Sequence, residues 1–201
     1  RAFRRPPRPG DSFLLRRGRA WPEPLRIRGS GTRARPVTVG AYGEGPRPRI
    51  SPAGVTAVTH DGPVSWWHLK RLEVAGGRAC DPSGRPVGKA AGIAFTHSTP
   101  SAGLVVEDCV VHDFDGPGIA FRAGPTPAAG AGVYSGWKVL DCEVYHASTG
   151  VTCGGPWPAG TDPFRFHRDF AVAGCRVHDI GTDGIVTTVA GGGRCCEVPD
   201  G

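Results

Sequence analysis

The sequence predicts an all-β solenoid, one chain winding through short parallel strands, coil upon coil. Three observations carry this. Leu104, Val106, Cys109 and Val111 recur 33 residues later as Trp137, Val139, Cys142 and Val144, and after 33 more as Phe170, Val172, Cys175 and Val177. Thirty-seven residues before the first set the same slots hold Trp67, Leu69, Leu72 and Val74. The internal spacing steps by two, skips, and steps by two again, whereas a helix buries residues three or four apart. Each copy is followed by a Gly-apolar pair: Gly92-Ile93, Gly118-Ile119, Gly150-Val151 and Gly184-Ile185. The pattern describes two short strands joined by a two-residue corner, with a third strand after a longer turn.

The stretches from Gly103 to Asp113 and from Val172 to Asp179 resemble coils of the right-handed parallel β-helix, the superfamily that includes pectate-lyase-like polysaccharide lyases. The run from Pro9 to Gly45 resembles the leading segment of such proteins. The resemblance covers nearly the whole chain and implies a single-stranded solenoid truncated at one or both ends. It implies a secreted protein acting on or binding polysaccharide, of lyase or glycosidase type. A non-catalytic carbohydrate-binding or cell-surface solenoid is the alternative, because one scaffold carries many unrelated sites.

In chain order, residues 1–35 read as a leading or capping segment, with strand candidates at Phe13–Leu15 and Leu25–Ile27 between Gly and Pro breakers. Residues 36–190 read as the coils and 191–201 as a tail leading into further coils. Val37, Val39 and Tyr42 are expected in the first slots of the opening coil, with Ile50 and Val55 completing it. Insertions at Gly76–Ala91, Gly124–Gly136 and Gly154–Arg165 should bulge from the turns and wall a groove. Trp157 lies in one of them and is a candidate for stacking on sugar.

Glycine and proline make up 52 of 201 residues, which suits solenoid turns. No apolar run approaches a membrane span, so no membrane partner is expected. Methionine is absent and the chain begins at Arg1, so it is expected to be a mature or truncated piece of an extracellular protein. Residues 1–50 carry 13 Arg against three acidic residues. Such a field would attract an acidic polysaccharide. A preference for arginine codons is the simpler explanation, since 21 of the 24 cations are Arg. No aromatics interleave with these arginines as a base-stacking surface requires, so no nucleic-acid partner is expected. A monomer is expected for the full-length protein.

Seven cysteines are an odd number for pairing. Cys109, Cys142 and Cys175 share one inward slot and read as a core ladder, since buried Cys packs as a small hydrophobe. Cys80 and Cys153 read as turn residues, either of them open to a disulfide, and Cys195-Cys196 is a vicinal pair.

The residues with chemistry follow the last inward valine of each coil. His112, Tyr145 and His178 share one position, and Asp113, His146 and Asp179 share the next, with Asp115 and Asp183 close behind. Alternation should turn the first six outward as one exposed stripe. With coils about 4.8 Å apart, Asp113 and Asp179 should lie about 9–10 Å from each other, near the wide end of an inverting-glycosidase pair. Stacked like charges would raise one carboxyl, as a proton donor needs. A histidine between them suits general acid-base work. The same carboxylates could supply a Ca²⁺ site. Equally, short polar residues at this point cap the strand and open the turn. The β-helix lyases of the resemblance use a Lys or Arg base, and none of Lys70, Lys89 or Lys138 carries a lyase signature.

Overall fold

The computed structural model describes residues 6–77, 88–97, 99–123, 134–154 and 167–188. It is a right-handed parallel β-helix. The first coil contributes β1 (Ser12–Arg16), β2 (Ala20–Trp21) and β3 (Leu25–Ile27). The second contributes β4 (Val37–Tyr42), β5 (Arg49–Ile50) and β6 (Val58–His60), and the third β7 (Trp67–Lys70), β8 (Glu73–Ala75) and β9 (Ile93–His97). In the fourth, β10 (Leu104–Glu107) precedes β11 (Val110–Ala123), which rounds a corner and serves two faces. A short β12 (Tyr134–Ser135) leads to the fifth coil, β13 (Lys138–Leu140) and β14 (Glu143–Gly154). After β15 (His167–Arg168) comes the sixth, β16 (Ala171–Ala173), β17 (Arg176–His178) and β18 (Ile185–Thr188).

The first face is the sheet β1-β4-β7-β10-β13-β16. The second face runs β2-β5-β8 and continues through the leading halves of β11 and β14 to β17. The third runs β3-β6-β9 and continues through their trailing halves to β18. Stacking therefore begins within residues 12–27, upstream of Pro36.

The repeat becomes columns of side chains. Val39, Leu69, Val106, Val139 and Val172 stack on the first face, and Ile50, Val74, Val111, Val144 and Val177 on the second. Cys109 and Cys142 are buried in the corner between them with Cys175 beside, in adjacent coils. The Cys142 amide donates to Cys175 Sγ at 3.5 Å. The Cys142 thiol, hydrogen-bonded to Cys109 and buried, is pushed up to about 12, so it keeps its proton and packs as a small hydrophobe in the ladder. Cys153 lies in β14 and points into the core, not in a turn. Cys80, Cys195 and Cys196 fall outside the described residues.

Two details of the second coil differ from expectation. Strand β4 runs on to pair Ala41 and Tyr42 with Leu15 and Arg16, and alternation then turns Tyr42 outward, 49 % exposed. Val55 is likewise exposed, and Val58 fills the third-face slot above Ile93.

The Gly-apolar pairs have a steric cause. A Cβ on Gly118 would strike Val144 Cγ1 and approach the Gly150 carbonyl at 3.0 Å. One on Gly150 would strike Val177 Cγ1 and the Gly184 carbonyl. The chain passes so close to the next coil that no side chain fits. Gly150→Ala should therefore cost about 1–3 kcal/mol, as overpacking does. Urea unfolding checks this, and an unchanged midpoint would remove the close-approach explanation.

Candidate functional site

The stripe sits where the second face ends and the chain turns. His112, Tyr145 and His178 are aligned across β11, β14 and β17. Their rings form a stack: His112 to Tyr145 at 4.8 Å between centroids, and Tyr145 to His178 at 5.2 Å, with interplanar angles of 4° and 14°. The next residue in each coil takes the left-handed conformation that turns the corner: Asp113 at φ 63°, His146 at 48° and Asp179 at 52°. Asp tolerates that region, which explains part of its recurrence here.

Each histidine of the stack lies between two carboxylates. His112 Nδ1 is 2.8 Å from Asp113 Oδ2 and its Nε2 is 3.3 Å from Glu73 Oε1. His178 repeats this with Asp179 at 2.9 Å and Glu143 at 3.2 Å. Between the two, His146 Nδ1 meets Asp113 Oδ1 at 3.1 Å. An ionised carboxylate only accepts, so Nδ1–H of His146 is the donor, and in the neutral ring Nε2 is then the acceptor. The His146 backbone N–H donates to the Asp179 carbonyl at 3.0 Å, tying the corners together.

The stripe is less uniform than alternation implies. His112 is only 8 % exposed, wedged between its carboxylates and under Tyr145, while His146 and Asp179 are exposed. Asp115 is buried and its carboxylate abuts Gly88, so it faces the base of an insertion. Asp183 is exposed beyond the corner. Trp157 lies outside the described residues. Glu73 and Glu143, the partners from the preceding coil, were not singled out by sequence. Their role is visible only in the signal that each precedes its histidine by one coil plus a short offset.

Neither carboxyl is raised. Partial burial pushes Asp113 up, but hydrogen bonds and charge from His112 and His146 outweigh it and hold the group below the usual carboxylate range. The hydrogen bond from His178 does the same for Asp179. The like-charge argument fails because imidazoles stand between the carboxylates. Tyr145 is raised by burial and then by the charges of Asp113 and Glu143, so its phenol keeps its proton. His178 is raised by Asp179 first and Glu143 second.

These shifts set a pH window. Stabilisation from raised His178 is complete below its unfolded pKa and fades as pH rises through the folded one. That from depressed Asp179 is complete above its unfolded pKa and fades as pH falls through the folded one. The pair thus contributes most between about pH 4 and 6.5. Asp179→Asn should lower the His178 midpoint in an imidazole NMR titration. A midpoint that stays put would dissociate the two groups.

Both Asp113 oxygens are occupied by imidazole N–H groups, and among the described residues no three His, Cys, Asp or Glu are grouped as metal ligands.

No family model and no curated protein matches the sequence. Among solved structures, native GH136 lacto-N-biosidase from Eubacterium ramulus is similar with a TM-score of 0.69 and 23 % identity, covering 92 % of this chain and 38 % of that one. Its selenomethionine derivative gives 0.68 and 21 % with the same coverage. The chain thus spans well under half the length of the enzyme it resembles. At that identity the likeness is one of architecture: this chain is a right-handed parallel β-helix.

Proposed function

We propose that this is an extracellular polysaccharide-acting β-helix protein in which His146 is the proton acceptor and Tyr145 the proton donor of an elimination on a uronate-containing chain. The observation that carries the reading is the Asp113–His146 pair, which engages Nδ1 of an exposed imidazole and leaves its Nε2 to accept, on a ring adjoining the protonated Tyr145 phenol. The two rings adjoin edge to face at 5.1 Å. In the step, Nε2 takes the proton next to the sugar carboxylate and the electrons form a double bond. The glycosidic C–O bond then breaks, and the phenol protonates the departing oxygen. Elimination is favoured over two-carboxylate hydrolysis because Asp113 and Asp179 are both held ionised and neither serves as an acid. The resemblance to a glycosidase of the same architecture supports a carbohydrate substrate.

The test is incubation with pectic, alginate and glycosaminoglycan polysaccharides, following the ultraviolet absorbance of unsaturated products, with reducing ends on neutral glycans in parallel. Rising absorbance is the expected result. New reducing ends without it would reassign the reaction to hydrolysis. Neither, with glycan binding retained, would leave the stacked rings as a binding surface, the reading their parallel geometry favours as a second choice.

A further inference from the structure

We infer that the outer side of the first face holds a separate carbohydrate cleft, in which Trp66 is the stacking platform for an oligosaccharide bearing a carboxylate. Ligand sites span about 300–1,000 Å³, and the open cavity lined by Trp66, Arg33, His68, Lys138 and Asp169 measures ≈ 600 Å³. It lies over β7, β10 and β13, on a different face from the stripe.

Trp66 is the anomaly that marks it. The position is a corner that the fold holds in the left-handed region, with Trp66 at φ 59°, Gly103 at 62°, Gly136 at 64° and Asp169 at 55° in successive coils. Gly and Asp are the residues such a corner accepts readily, and a bulky aromatic there is an outlier. The backbone on both sides is fixed, since the Trp66 N–H donates to the Ala102 carbonyl at 2.7 Å and its carbonyl accepts from Val37 at 2.9 Å. The side chain fills no core slot. Its neighbour Trp67 does that, fully buried, while Trp66 is half-buried. The indole instead lies across Gly103, where any Cβ would collide with three of its ring carbons. Gly103 thus leaves a bed without a side chain, and the ring rests on it at the cavity wall. Strain retained by surrounding structure, with an accessible aromatic as its result, is the pattern of a ligand platform.

The charges select the ligand. His68 and Glu107 are paired at 2.5 Å. Burial holds His68 below the usual imidazole range, so it adds no charge, and among the residues lining the cleft Arg33 and Lys138 outnumber the one carboxylate, Asp169. Lys138 is exposed. A sugar ring on Trp66 with a uronate reaching Lys138 or Arg33 satisfies both features.

This inference rests on the carbohydrate reading above but not on the chemistry of the stripe. Calorimetric titration of the whole chain with trigalacturonate, and with maltotriose as the neutral probe, separates them. Trigalacturonate should bind in low salt, and more weakly as salt rises. Trp66→Ala should remove one binding event or weaken it about tenfold or more. Lys138→Ala, at an exposed site that leaves folding intact, should weaken trigalacturonate and leave maltotriose unchanged. An isotherm for Trp66→Ala and Lys138→Ala identical to that of the wild type, with circular dichroism unchanged, would overturn the cleft. So would absence of any binding by the wild type. Elimination activity is scored separately, so the stripe survives or falls independently.

Discussion

Asp113→Asn should lower turnover on the responsive polysaccharide about 10²-fold or more while shifting thermal unfolding little. The carboxylate receives N–H groups from two imidazoles, one on each oxygen. Asparagine keeps the shape but offers one acceptor and one donor. If its amide N–H faces His146, Nδ1 must accept, and the ring proton moves to Nε2, where the base should be. If the amide turns over, His112 loses its acceptor instead. The assay should therefore show a lost or displaced rising limb in the pH–rate profile, with binding of substrate retained. Retained turnover at the wild-type pH dependence would reduce Asp113 to a corner residue. A large drop in the unfolding midpoint with proportionate loss of both turnover and binding would do the same.

Phe121→Ala should cost about 3–5 kcal/mol, the range for emptying a large aromatic site. Phe121 is fully buried at the centre of the third face. Its ring stacks on Phe95 at 5.6 Å and on Trp137 at 5.2 Å, and Phe170 meets it edge-on at 6.2 Å. The residues around it belong to the third, fifth and sixth coils, so removing one ring loosens contacts above and below at once. The walls are backbone ladders that close poorly over a void, which places the cost at the upper end. Denaturant titration measures it. A loss under about 1 kcal/mol would mean that the coils collapse to fill the space.

The architecture was legible because parallel stacking turns sequence period into spatial register. Val106, Val139 and Val172 are neighbours simply because they are equivalent. Where the period slips, the reading slips. The step from β4 to β7 is 30 residues, against 37 for the next, and there the Tyr42 and Val55 slots were misassigned. The stripe was legible as a set of residues but not as chemistry. Alternation gives outwardness, yet His112 is covered, and burial depends on what neighbouring coils place above it. The partners Glu73 and Glu143 come from the preceding coil, and no local motif announces a contact 35 or 39 residues away. The carboxyl pKa directions also depended on those imidazole contacts, and counting charges alone gave the opposite sign. Trp66 was invisible for another reason: next to Trp67 it looks like more core, and only the backbone angle separates the two.

The left-handed corner that carries Asp113, His146 and Asp179 makes the site a graduated rail. Each mark is one strand spacing, about 4.8 Å, and nothing between marks is available. A side chain cannot be nudged along such a rail by loop remodelling, as it can in a site assembled from flexible connections. Its reach along a polymer changes only by whole turns, gained or lost as 33-residue blocks that splice Gly103 to Trp137, or Gly136 to Phe170 with one corner residue adjusted. If the proposed function holds, specificity for chain length is a matter of counting, and specificity for the sugar a matter of what is written at each mark.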